Sequence, residues 1–210
     1  LVPADCLGSM SHTAMLSSIG ILTEDEAAAV RKALNDIIAD ETFSIAQEQE
    51  DVHTAIENVL TEKLGDTGRK IHTGRSRNDQ VLVDTRLYAK GFLIEFKASL
   101  LNLISVLRDF AEKHSDVPLV GRTHMQVAMP SSVGLWAGAI AESLCDDLNL
   151  INTAFAINDQ CPLGSAASYG VPLPLDREKT SDLLGFARVQ NNVLYANNSR
   201  GKIESVILQG

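Results

Sequence analysis

The chain has 210 residues, 45% of them apolar and 21% charged, enough for a sizeable core in one large or two small domains, which excludes disorder, collagen and disulfide-stapled mini-proteins. Its net charge of −9 disfavours a nucleic-acid partner, and no apolar run reaches the ~18 residues of a membrane span. Cys6, Cys145 and Cys161, odd in number and scattered, fit neither a disulfide framework nor a zinc site and point to a reducing, cytoplasmic setting.

Thr23-Glu24-Asp25-Glu26 has capping-box spacing ahead of Ala27, Val30, Leu34, Ile37 and Ile38, which predicts a helix within 21–43. Glu50-Asp51-Val52-His53 reads as a second helix start, with Asp51 near the cap and His53 facing a pocket. From Gln80 to His114 the residues Ala89, Leu93, Phe96, Leu100, Leu103, Leu107 and Phe110 alternate in steps of four and three, predicting one long helix with a heptad-like seam. The stretch from His114 to Pro130 breaks that pattern and reads as a loop. Ser131 to Asn158 resumes it with Val133, Ala137, Ile140, Leu144, Leu148, Ile151 and Phe155. Pro162, Gly164, Gly170, Pro172 and Pro174 mark another loop, followed by short helical stretches at Arg177–Phe186 and Lys202–Gln209.

No stretch alternates as a strand would, so the expected class is all-α: a long-helix bundle, with residues 1–79 a helical domain carrying an anion-binding loop and 80–210 the first part of the bundle. Helices this long in so short a chain leave apolar faces uncovered, which calls for oligomerisation or for further helices of the same chain. The chain starts at Leu1 rather than at methionine and ends just after a two-turn apolar pattern, so a longer parent protein is expected.

Four segments carry chemistry. Gly68 to Gln80 holds Arg69, Lys70, Arg75 and Arg77, with no acid before Asp79, immediately ahead of the long helix. Free backbone N–H groups and the helix dipole favour an anion there, which places Ser76, Arg77 and Asn78 for a carboxylate or phosphate. The alternative is that Asn78 or Asp79 is the N-cap and the arginines a solvated or salt-bridged surface. Gly121-Arg122-Thr123-His124-Met125-Gln126 offers an imidazole between two hydrogen-bonding neighbours, suited to proton transfer. Glu50 to His53, with Glu57 a turn later, lacks the spacing of a metal motif. Ser9, backed by Gly8, has no base beside it and does not read as a nucleophile.

Asp5-x-x-Gly8-Ser9, Glu50-Asp51-x-His53-Thr54, Thr73-Gly74-Arg75-Ser76-Arg77-Asn78-Asp79-Gln80 and Gly121-x-Thr123-His124-x-Gln126-x-Ala128-x-Pro130, followed by Pro162-Leu163-Gly164 and Asp176-Arg177, closely resemble the argininosuccinate lyase family of the fumarase and aspartase superfamily. The resemblance implies a homotetramer built on a central helix bundle, with active sites shared between subunits. It also implies reversible β-elimination of fumarate from argininosuccinate to give arginine, without cofactor or metal. Carried over by position, His124 is the catalytic histidine, Ser9, Asn78 and Thr123 bind substrate, Arg77 supplies positive charge, and His53 and Gln80 orient that shell. The family's mobile Gly-Ser-Ser loop is absent from these residues, so this piece alone is expected to be inactive. Arg122 stands where the family usually has tyrosine, and Ser199-Arg200-Gly201 where it commonly reads Asp-Arg-Asp. Two other readings are a non-catalytic relative of the δ-crystallin kind or a shortened scaffold subunit, and a sister lyase for another succinyl adduct.

Overall fold

Short polar side chains set where many of the helices begin. In the computed structural model, which describes residues 1–209, Thr23 and Glu26 form the reciprocal capping box that starts α2 (Glu24–Ala39), preceded by α1 (Val2–Ser18). Asp51 accepts from Thr54 N–H to start α3 (Val52–Leu64), as its position predicts, and α4 (Asp66–Lys70) follows at once. The long helix α5 runs over Arg77–Lys113 and α6 over Val133–Asn158. Between them lie β1 (Pro118–Thr123) and β2 (Gln126–Ser132), an antiparallel pair. Asp176 and Asn192 cap α7 (Arg177–Leu183) and α8 (Val193–Asn198), and α9 covers Lys202–Gln209. Among the described residues no helix is long and apolar enough to cross a membrane.

The chain divides into two compact units. The first comprises Leu1–Lys90 and Asn158–Glu204. Its main core joins Cys6 of α1, Val30, Leu34 and Ile37 of α2, and Val52, Ile56 and Leu60 of α3 with Ile71. A second cluster packs Val83 of α5 against Cys161, Leu163 and Phe186. Helix α1 escapes sequence analysis because it is buried on several sides. Ser9, Ser11, His12 and Thr13 lie inside along with Met15 and Leu16, so no single apolar stripe remains to be read.

The second unit comprises Gly91–Ile157 and Ser205–Gly210. Here Leu93, Leu100 and Ile104 of α5 pack against Leu144, Leu148, Ile151 and Phe155 of α6. The predicted seam splits into two rows, each repeating every seven residues. Leu93 and Leu100 are buried, whereas Phe96, Leu103 and Phe110 remain 46%, 47% and 41% exposed, because one neighbouring helix covers one row only. Gly134 allows the end of α5 and the start of α6 to approach, since a Cβ there would lie 2.6 Å from the Ala111 carbonyl oxygen.

The chain is all-α in class, as expected, and the segment read as a loop is a β-hairpin set between its two long helices. Pro118 pairs with Ser132 and Thr123 with Gln126, with an irregularity between Val120 and Arg122. Both strands are largely exposed on both faces and each contains a proline, so neither polar alternation nor an apolar run marks them.

Candidate active site

The segment Thr73–Gln80 folds so that alternate parts face opposite ways. Its start is held from α1, where Nε2 of His12 meets the Thr73 carbonyl at 2.9 Å. Arg75 then turns inward and donates from Nη1 to Ser9 Oγ (2.9 Å), while its Nε and Nη2 are buried without partners. Ser76 precedes the first residue of α5 and its hydroxyl accepts from Asn78 N–H (3.2 Å), so neither Asn78 nor Asp79 is the cap. Arg77 and Asn78 face out; Asp79 and Gln80 are buried.

Asp79 does more than close the first turn. One oxygen accepts from Ser76 N–H (2.9 Å) and the other from the N–H groups of Gly164 (3.0 Å) and Ala166 (2.8 Å). That bridge ties the beginning of α5 to the loop before α7, across some eighty residues of sequence. Burial raises the Asp79 pKa against the pull of these donors.

Beneath the segment lies a buried polar cluster. Asp5 accepts from His53 Nδ1 (2.5 Å), Gln80 Nε2 (2.8 Å) and Ser9 Oγ (3.1 Å). Burial opposes ionisation of Asp5, but the His53 hydrogen bond and the Arg75 charge outweigh it and hold the carboxyl below its usual range. Asp84, one turn beyond Gln80 on α5, sits 3.6 Å from His53 with both oxygens buried and unpartnered. Burial and the neighbouring Asp5 charge push it up to about 9, so it holds a proton at neutral pH. Asp5, His53 and Asp84 each place a potential metal-ligand atom within 4.8 Å of the others. The Asp5 charge is already answered by His53, Gln80 and Arg75, and that of Asp84 by its proton, so the cluster fits a hydrogen-bonded anchor better than a cation site.

On the outer side, Arg77 is met by Glu50 (3.0 Å), Asp51 (3.4 Å) and Glu57 (3.8 Å). The salt-bridged alternative weighed for the arginines therefore holds for Arg77 and fails for Arg75. Glu57 also meets His72 Nε2 at 3.2 Å. Burial, with the charge of Arg75, lowers the His72 pKa.

In the second unit, Thr123 ends β1, and His124 and Met125 form a two-residue turn with φ of +48° and +62°. Positive φ at both central positions is the signature of a type I′ turn, whose twist matches the strands. His124 is thus exposed at the tip of a hairpin, with Thr123 in register with Gln126 beside it.

The structure thus brings Ser9, His53, Gln80, Arg77 and Asn78 together in one unit and sets Thr123 and His124 side by side in the other. Ser9 is buried, its hydroxyl donating to Asp5 and accepting from Arg75, and His53 and Gln80 are buried with it against the same carboxylate. A groove of about 430 Å³ between α1 and α2, edged by Met10, Thr13, Ser17, Asp25 and Arg31, contains none of these residues. Sequence reasoning missed Asp84 and the bridging role of Asp79. The available signal was spacing, since Asp84 follows Gln80 by one helical turn and shares its face.

A family model described as "Lyase" matches residues 4–205. An argininosuccinate lyase of Parabacteroides distasonis is 49% identical over 210 residues, covering 99% of this chain and 47% of its own length. That of Thermotoga neapolitana is 46% identical over 211 residues, covering 99% of this chain and 53% of its own length. The chain spans about half the length of the curated relatives it matches. A solved EDDS lyase in complex with formate has a TM-score of 0.85 at 27% identity, covering 98% of this chain and 42% of that one. A fumarate lyase:delta crystallin from Brucella melitensis bound to cobalt has the same fold, with a TM-score of 0.81 at 19% identity over 98% of this chain and 51% of that one.

Proposed function

The chain belongs to the lyase family whose pattern runs through its residues 4–205, and from that premise we propose that the protein it forms part of cleaves argininosuccinate reversibly into fumarate and arginine. The observation that carries this reading is the Thr73–Gln80 segment. It sets an exposed Asn78 in the first turn of a 37-residue helix and anchors it from below through Asp79, Gln80 and Asp5. Near-half identity to argininosuccinate lyases along the whole chain supports the substrate.

The proposed reaction removes a proton from a carbon beside a carboxylate, giving a doubly negative carbanion, and then breaks the bond to the guanidinium nitrogen. Such an intermediate needs donors already aimed at it. Asn78 and the N-terminal turn of α5 supply them, and the dipole of the helix adds its positive end. Arg77 takes part by exchanging the exposed Glu50 for a substrate carboxylate, while Thr123 hydrogen-bonds substrate beside His124. His124 is the proton-transfer group, and its place at a hairpin tip lets it enter a site built by other segments. The chemistry asks for no metal or cofactor.

The open row Phe96, Leu103 and Phe110, with Leu135 and Trp136 of α6 also exposed, supports a bundle completed by further copies, and we read the protein as a homotetramer with shared active sites. The free Cys6, Cys145 and Cys161 support a cytoplasmic location. Fumarate release from argininosuccinate by the full-length protein, followed by ultraviolet absorbance, tests the function. Faster release from adenylosuccinate would replace the substrate, and no release from either by a folded protein would leave a non-catalytic relative.

A further inference from the structure

Around the first turn of α5 the positive charges are not equally available. Arg75 points inward to Ser9 and the buried aspartates, and Arg77 is surrounded by Glu50, Asp51 and Glu57. A third guanidinium reaches the same turn from a distant part of the chain. Arg200 Nη2 lies 3.5 Å from the Asn78 carbonyl oxygen, across 122 residues of sequence, and is exposed. Among the described residues Arg200 enters no ion pair.

The backbone at Arg200 is fixed on both sides. Ser199, which precedes it, is fully buried; its hydroxyl accepts from Arg86 Nη2 (2.8 Å) and donates to the Ala196 carbonyl (2.7 Å). Gly201, which follows, is left-handed at φ +79°, and its N–H is taken by the Glu204 carboxylate (2.6 Å). A buried anchor and a left-handed glycine together turn the chain so that the side chain between them projects toward α5.

We propose that Arg200 is a specificity-determining residue of the site at the start of α5, supplying the free positive charge that recognises the second carboxylate of a dicarboxylate ligand. The inference rests on the proposed lyase reading for the site's location. A helix N-terminus, one amide and an Arg77 that keeps Asp51 and Glu57 as neighbours after releasing Glu50 suit a single carboxylate; a succinyl group carries two, and its second negative charge needs a cation not already neutralised. Arg200 meets that requirement and presents a planar fork suited to carboxylate geometry.

The test uses Arg200→Gln and Arg200→Lys in the full-length protein, with circular dichroism to show that each folds. If the unaltered protein cleaves argininosuccinate, Arg200→Gln should raise KM about ten-fold, a larger change than in kcat, as expected for a lost hydrogen bond to a charged group. Arg200→Lys should recover part of that loss, and an unmoved KM overturns the assignment while leaving the lyase reading intact. If the unaltered protein does not cleave argininosuccinate, succinate is titrated calorimetrically. Weaker binding to Arg200→Gln supports the assignment even though the reaction reading has failed. Equal binding to both proteins, or none to the unaltered one, overturns it.

Discussion

The Asp79 carboxylate accepts a 2.8 Å hydrogen bond from the N–H of Ala166, a residue held at φ +50°. A non-glycine residue in the left-handed region is there at a cost, and Asp79 is one of the groups that hold it. Asn197 is another, donating from Nδ2 to Ser165 Oγ (3.0 Å) and to the Ala166 carbonyl (3.2 Å).

Removing the bridge should therefore cost stability and relieving the strain should add some. Asp79→Ala strands three backbone donors and is expected to destabilise the chain by roughly 3 kcal/mol in urea unfolding. Ala166→Gly should stabilise it by about 1 kcal/mol. A loss with Ala166→Gly would mean that the strain relieved is smaller than the cost of the added chain freedom and the lost buried methyl.

Asp84 predicts a pH dependence of stability. Its folded pKa, raised to about 9, lies above the 3.8 of an ordinary aspartate. Its contribution is then fully present below pH 3.8 and is lost as pH rises toward 9. Asp84→Asn removes that titration, so its unfolding midpoint should gain on the unaltered protein as pH rises from 5 to 9. Parallel curves over that range would mean that Asp84 is ionised in the folded state.

His12 works in the opposite direction. Burial, with the nearby charge of Arg75, lowers its pKa from 6.5 to about 3. A depressed folded value gives stability present above pH 6.5 and lost as pH falls toward 3. His12→Gln keeps an amide donor for Thr73 and should flatten the acid limb of the stability curve measured by thermal unfolding between those limits. An acid limb as steep as before would exclude His12 as its origin.

His124→Asn should leave the fold intact, because the tip is exposed and asparagine tolerates the φ of +48°. Turnover of argininosuccinate by the full-length protein is expected to fall by about two to four orders of magnitude. Unchanged turnover would remove His124 from the mechanism.

The open row of α5 should drive association. Sedimentation is expected to find the full-length protein as a tetramer, and Phe96→Ser with Leu103→Ser should shift it to smaller species. A monomeric unaltered protein would count against the shared-site architecture.

Local signals made much of this molecule readable. The capping box at Thr23 and Glu26, the Asp51 cap and the seven-residue spacing of Leu93, Leu100 and their neighbours depend only on residues within a few turns, so sequence determined those helices. That a long helix starts just after the basic segment was legible for the same reason. Which arginine turns inward depended on Ser9 and Asp5, which lie some seventy residues earlier in the chain, and Asp79 found its partners about eighty-five residues later. The hairpin carrying His124 has solvent on both faces and left no pattern of burial to read. Sequence by itself thus determined the helices with a local cap or an apolar stripe, α2, α3, α5 and α6, and the overall helical class. Tertiary structure alone decided which polar side chains around the start of α5 are buried and which face outward, because burial depends on contacts that the order of residues does not encode locally.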